Sequence, residues 1–286
     1  LPDGVYQNLF IPGNSIDKLV SNPLIKGVSL TGSEPAGANI ASEAGKYIKK
    51  STLELGGSDP FIILEDADID QAIKTAVNGR MWNAGQVCVS PKRIIVPESK
   101  YSGILDKMKK QVAKLKLGDP MDPETDVAPL SSEEAAQAVI RQIKQAIAQG
   151  AKLEYGGDRP NLTGAFVNPT ILTHIEPGMN AYSEEIFGPV LAIYTFKNIN
   201  EAIQLANATT DGLGGTVFGT DMQKAKAIAR ETDSGMIYIN HVTGIAPELT
   251  FGGTKNSGFG REQSTEGIYE FVNQKLIRIT SPEELY

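Results

Sequence analysis

A carboxylate and a thiol carry the strongest chemical signal in the sequence. Glu54 lies in LELGG, and Cys88, the only cysteine, lies in NAGQVCVSPKR. Between them SDPFIILEDADID and the residues after it supply an apolar run and an amphipathic run, enough for a strand and a helix. Two groups separated in this way can converge on one cleft as nucleophile and general base. The glycine before Cys88 lets backbone N–H groups approach a ligand, and the N–H of Cys88 can stabilise an oxyanion. A lone cysteine is equally at home as a small buried hydrophobe, and thiolate character and exposure decide between the two. Glu54 also has two readings. It is either a strand-end carboxylate in a surface ion pair, or a group desolvated by Leu53 and Leu55 whose pKa rises towards that of a base.

Other residues offer weaker signals. KGVSLTGS reads as a buried strand and turn, with Ser33 capping a helix whose N-terminus can hold an anion. Gly56 and Gly57 remove side-chain bulk where a flat ligand can lie close. Glu185 and Phe187 in SEEIFGPV form either a turn with a capping acid or a clamp for a ribose hydroxyl. His241, at a strand end in NHVTG, reads as a neutral surface or pocket-wall histidine.

These groups need elements to hold them. Strand-like runs (PFIILED, KRIIVPE, AFVNPTILTHI, PVLAIYTF, GGTVFGT, GMIYIN) alternate with helical ones, which predicts an α/β fold with a mostly parallel sheet. SEEAAQAVIRQIKQAIAQG is the clearest helix, with Ser132 before it and Gly150 ending it. KYSGILDKMKKQVAKLKLG predicts a basic helix ended by Gly118, and KLIRIT a final strand. There is no internal repeat and no G-x-G-x-x-G fingerprint. Just one strand–helix unit precedes the Glu54 strand, so the first sheet reads as part of a doubly wound domain.

Composition narrows the class. The chain has 286 residues, 41% hydrophobic and 21% charged, with net charge −7, which is ordinary for a globular protein and argues against nucleic acid. No apolar run nears the roughly 20 residues needed to span a bilayer, so no membrane partner is expected. One cysteine and two histidines predict no internal disulfide, no metal site, and a reducing compartment, most simply the cytoplasm.

LELGG, NAGQVC, EEIFGPV and FGGTKNSGFGRE, in that order, resemble the aldehyde dehydrogenase superfamily, and the resemblance runs from LPDGV to the C-terminus. It implies that Cys88 attacks an aldehyde to give a thiohemiacetal, which passes hydride to the nicotinamide of NAD or NADP. Glu54 then activates water against the thioester. By the same resemblance Gly32 and Ser33 lie near the cofactor diphosphate and Leu55 and Gly56 near the nicotinamide. Glu185 holds the nicotinamide ribose with Phe187 beside it. Residues 1–56 correspond to part of the cofactor domain, 57–253 to a complete catalytic domain, and 254–286 to a tail with an oligomerisation strand.

The family's Pro-Trp-Asn segment, adenosine-ribose lysine, early cofactor strands and bridging hairpin have no counterpart here. The chain is therefore expected to be the C-terminal part of a longer homodimeric or homotetrameric enzyme, and to be inactive or unstable alone. SDPFIILEDAD with GQVCVSPKRIIV is most similar to the bacterial succinate-semialdehyde dehydrogenase group. Trp82, where some of that group carry a carboxylate-binding Arg, is expected to wall the substrate pocket with Val87, Val89 and His241. Two rival classes stay open: a non-redox cysteine thioester hydrolase, and a non-catalytic binding or structural relative.

Overall fold

The computed structural model describes residues 2–281. Helix α1 (Ile16–Ser21) leads into strand β1 (Gly27–Thr31), helix α2 (Glu34–Lys46) and strand β2 (Lys50–Glu54). β1 and β2 pair in parallel with Thr31 beside Glu54, which makes α2 a crossover helix. Val20, Ile40, Ala44, Leu53 and Leu55 form a small core here. Gly37 permits the closest approach of α2, because a Cβ there would meet Leu55 Cδ1 at 2.6 Å. The strand expected to be buried is not: no residue of β1 is fully buried, since so small a core cannot cover it. Ser33 stands at the N-cap of α2, yet its hydroxyl makes no capping bond.

The larger layer follows the expected alternation. Strands β3 (Pro60–Ile63), β4 (Arg93–Pro97), β5 (Lys152–Tyr155), β6 (Thr170–Thr173) and β7 (Val190–Phe196) are followed by the short β8 (Asp211–Gly212), β9 (Thr216–Phe218) and β10 (Tyr238–Ile239). Between them run α3 (Ile69–Met81), α4 (Tyr101–Val112), α5 (Glu133–Gln149), α6 (Asn180–Ser183), α7 (Ile199–Ala206) and α8 (Met222–Glu231). The seven-stranded sheet has the order β10-β9-β3-β4-β7-β6-β5, parallel throughout except for the antiparallel β5–β6 edge. Phe61, Ile62, Ile63, Ile94 and Ile95 are fully buried. Continuous apolar runs of this kind belong to parallel strands covered on both faces.

Local signals fix several ends. Asp68 accepts from the N–H of Gln71 to start α3. Ser132 accepts from the N–H of Ala135 at 3.1 Å to start α5, and Gly150 ends it with φ +117°. The basic helix departs from expectation by stopping at Val112 instead of reaching Gly118. Leu117 bridges Val127, and Gly118 donates its N–H to Val127 O at 3.2 Å. A non-local pairing has overridden the helical period.

The glycine-rich C-terminal loop ties the two layers together. Strand β11 (Thr254–Lys255) pairs antiparallel with β8. Strand β12 (Gly258–Phe259) pairs antiparallel with β2, placing Gly258 beside Glu54. Helix α9 (Ser264–Tyr269) follows. Residues 275–280, expected as a strand, form none, and Leu276, Ile277 and Ile279 are exposed. An apolar alternation makes a strand only where an edge offers it a ladder. Among the described residues no helix is long and apolar enough to cross a membrane.

The α5 cap gives a direct check on this layer. Ser132→Ala is expected to lower stability by about 1 kcal/mol, read as a shift in the urea midpoint at unchanged slope.

Candidate active site

Glu54 ends β2 inside the protein. The turn after it is held by Ser257, whose carbonyl accepts from the N–H of Leu55 at 3.0 Å and whose hydroxyl donates to Gly56 O at 2.7 Å. Glu54 is 4% exposed, and its Oε1 is buried without a hydrogen-bond partner. Burial pushes its carboxyl above the usual range, helped by the charges of Glu262 and Glu185 and opposed by Cys88 and Lys92. Of the two readings of Glu54, the structure supports the desolvated carboxylate.

Cys88 is half-buried and follows an unusual turn. Asn83, Ala84 and Gly85 have φ of +50°, +54° and +77°, a left-handed run that costs L-residues energy. Gly85 is required twice over, since a Cβ there would also meet Gly188 O at 2.3 Å. Arg80, fully buried on α3, holds the turn. Its Nε donates to Val190 O at 2.7 Å and its Nη2 to Ile186 O at 2.6 Å. Its Nη1 donates to Gly85 O at 3.0 Å and to Ser90 Oγ at 2.6 Å.

Lys92, also buried, donates to Cys88 O at 2.7 Å and Val87 O at 3.0 Å. Burial, followed by the Glu54 carboxylate, pushes the Cys88 thiol up to about 12, with Lys92 opposing. At neutral pH the resting group is a thiol.

Glu185 reaches the same place from the turn before β7. Gln142 of α5 donates to its carbonyl at 3.0 Å. Gly188 lies so close to α5 that a Cβ would meet Val139 Cγ2 at 2.7 Å. Glu185 Oε1 is 3.0 Å from Lys92 Nζ, an ion pair without hydrogen-bond angles. Its Oε2 lies where a Cβ on Gly56 would stand, at 2.6 Å.

A groove of about 980 Å³ joins these parts. Gly32, Ser33, Glu54, Leu55, Gly56, Val87, Cys88, Glu185 and Phe187 all line it. The uncapped start of α2, whose backbone N–H groups can face an anion, bare Gly56 with the Glu185 carboxylate beside it, and the thiol with the buried acid share this one groove.

Three of the expected pocket residues lie away from the groove's lining. Trp82 is 63% exposed beside the left-handed turn. Val89 packs into a small cluster with Leu213, Met236 and Phe251. His241 is exposed, with Nδ1 2.7 Å from Val242 O. Among the described residues no group of three or more His, Cys, Asp or Glu can hold a metal ion.

Sequence reasoning missed Arg80, Lys92, Asp59, Asp211 and Ser257. Buried Asp59, which accepts from the N–H of Gly214 at 3.0 Å, is pushed up to about 7 by burial. Asp211, on the groove wall, rises to about 6 through burial and the neighbouring charge of Glu34. Arg80 carries a readable signal, because its position in IDQAIKTAVNGRM shares the face of Ala72, Ile73, Ala76 and Val77. SPKR, by contrast, reads like any exposed basic pair.

Arg80→Met is expected to lower stability by about 3 kcal/mol or more, because it strands four buried acceptors. It should also make Cys88 accessible to thiol reagents well below the melting temperature. Denaturant melts and timed alkylation check both.

Comparison with known proteins agrees with this geometry. The aldehyde dehydrogenase family profile matches residues 1–277. A succinate-semialdehyde dehydrogenase [NADP(+)] of Deinococcus radiodurans is 48% identical over 97% of this chain and 58% of its own length. A Mycobacterium tuberculosis protein named succinate-semialdehyde dehydrogenase [NADP(+)] 1 is 44% identical over 97% and 61%. The crystal structure of succinic semialdehyde dehydrogenase from Streptococcus pyogenes in complex with NADP+ superposes with TM-score 0.94 at 48% identity, covering 96% of this chain and 60% of that one. Betaine aldehyde dehydrogenase from Staphylococcus aureus in complex with NAD+ gives 0.86 at 36% identity, over 89% and 51%. The chain thus spans about three-fifths of the length of the curated relatives it matches. With its α/β layers, its thiol and carboxylate in one groove, and this match over nearly its whole length, the chain belongs to the aldehyde dehydrogenase family.

Proposed function

We propose that this chain carries the reacting groups of an NAD(P)-dependent oxidation of succinate semialdehyde to the acid. The observation that carries the reading is the convergence of Cys88, Glu54 and Glu185 on one groove beside bare Gly56. Cys88 Sγ, its proton released to solvent, attacks the aldehyde carbon, and its backbone N–H helps to hold the oxygen of the thiohemiacetal. When bound, the dinucleotide supplies the hydride acceptor that makes oxidation to a thioester possible. Glu54, desolvated and lacking a partner for Oε1, takes a proton from water as that water attacks the thioester, and Cys88 leaves as thiolate.

Gly32 and Ser33 at the start of α2 hold the diphosphate, Leu55 and Gly56 face the nicotinamide, and Glu185 takes the ribose hydroxyls with Phe187 beside it. Residues 1–56 serve the cofactor, 57–253 carry the nucleophile, and 254–286 form a tail serving a homodimer or homotetramer in the cytoplasm. Of the expected substrate wall, Val87 lines the groove beside Cys88 and is the proposed contact, while Trp82, Val89 and His241 stand outside that lining. The names of the succinate-semialdehyde dehydrogenases it matches support the substrate and favour NADP. A non-redox hydrolase would leave the α2 end of the groove and Glu185 without a ligand.

Glu54→Gln, given succinate semialdehyde and NADP+, should release about one equivalent of NADPH per site and stall, with the acyl mass on the Cys88 peptide. Steady turnover should fall on the order of 10²-fold or more. Unchanged turnover, or a burst that survives Cys88→Ser, sinks the proposal. The kcat/KM for succinate semialdehyde should exceed that for butanal at least about tenfold; a ratio near one removes this substrate.

The thiol gives a pH check. With a pKa of about 12, the thiolate fraction grows about tenfold per pH unit below that value. Without ligand, iodoacetamide labelling of Cys88 should therefore keep rising from pH 7 to 10. A plateau near pH 8 would show a thiol far more acidic than its burial dictates.

A further inference from the structure

We propose that Lys92 is a positioning residue that ties the Glu185 carboxylate to the Cys88 loop, so that one buried ammonium sets the ribose-binding acid and the nucleophile relative to each other. The inference rests on the groove being a dinucleotide and aldehyde site. Lys92 is 4% exposed, and an ammonium has three N–H donors. Two carbonyls accept from it, Cys88 O at 2.7 Å and Val87 O at 3.0 Å, and Glu185 Oε1 stands 3.0 Å away as its ion-pair partner, outside hydrogen-bond geometry.

The neighbouring backbone needs no further support from Lys92. Arg80 already holds the carbonyl of Gly85, ahead of Cys88, and those of Ile186 and Val190, after Glu185. What Lys92 touches is narrower: the nucleophile's own carbonyl, the one before it, and one oxygen of the acid. With Oε1 of Glu185 beside the ammonium, Oε2 takes the space that a Cβ on Gly56 would fill. The pairing therefore fixes the orientation of the carboxylate in the groove.

Charge gives the second half of the tie. Glu54 at the end of β2 and Asp59 before β3 both raise the Cys88 thiol, and Lys92 before β4 lowers it. Glu185 before β7 and Glu262 before α9 act on Glu54 in the raising sense. A ligand hydroxyl that shares the Glu185 charge leaves more of the ammonium's field for the thiol. Occupation of the ribose site and readiness of the nucleophile are then coupled through one side chain.

Lys92→Met and Lys92→Gln test this in the otherwise unaltered protein, with thermal melts as the control for folding. Three quantities are read: the pH profile of Cys88 labelling by iodoacetamide, the Kd for NADP+, and the split between kcat and KM. Loss of the charge should move the labelling profile to higher pH, slowing labelling at a given pH on the order of tenfold. NADP+ should bind several-fold more weakly, and kcat should fall with it. Gln, which can still donate to Cys88 O but has no charge, should keep the slow labelling. If Met does not fold, Gln decides alone.

A folded variant whose labelling profile overlays the unsubstituted one, or whose NADP+ affinity is unchanged, overturns the proposal. A merely structural lysine would move the melting temperature and leave the pH profile in place. If the unsubstituted protein takes no NADP+ and forms no acyl-Cys88, the reading of function falls instead. The labelling profiles then still decide whether Lys92 governs the thiol.

Discussion

The site depends on buried cations that satisfy backbone carbonyls in its loops and at the ends of its strands and helices. A loop that leaves regular structure inside a protein must find partners for its carbonyls, because an unmade bond there costs a desolvation penalty. The Cys88 loop and the Glu185 turn are two such segments, lying side by side at the starts of β4 and β7. Arg80 spans both with one guanidinium, whose fixed fork reaches several acceptors at once. Arg93 does the same one layer deeper, joining Ser58 O at 2.7 Å to Ala206 O at 2.8 Å. These bonds hold Asn83, Ala84 and Gly85 in a left-handed turn that a free loop would leave.

The same region balances charge. Glu54, Asp59 and Glu185 surround a thiol that burial already disfavours as thiolate, and Lys92 is set against all three. A thiol held protonated at rest is protected from adventitious oxidation and alkylation, whose rates follow thiolate content and exposure.

Much of this was legible in the residues. Apolar runs bounded by turn residues located β3, β4 and β7, because parallel strands covered on both faces need no polar face. Ser132 and Gly150 marked both ends of α5 through local hydrogen bonding and a left-handed cap. Glu54 and Cys88 stood out because a carboxylate in an apolar run and a thiol beside glycine are unusual in themselves. Arg80 and Ser257 escaped notice because their partners lie far along the chain. Arg80 bonds to Ile186 and Val190, and Ser257 to Leu55 and Gly56. KLIRIT and the last turns of the basic helix misled for the converse reason, since a periodic pattern carries no information about whether a partner is present.

The sequence by itself determined the α/β order, the caps of α5 and the two candidate reacting groups. Each of those follows from residues near one another in the chain. Only the tertiary structure decided that Lys92 lies inside, that Glu185 turns one oxygen to Lys92 and the other to Gly56, and that β12 returns to lock Gly258 beside Glu54. Those outcomes depend on which distant carbonyls and charges share a desolvated space, and burial of that kind is a property of the assembled layers. Glu54 and Cys88 thus owe their chemical types to the sequence and their titration to the fold.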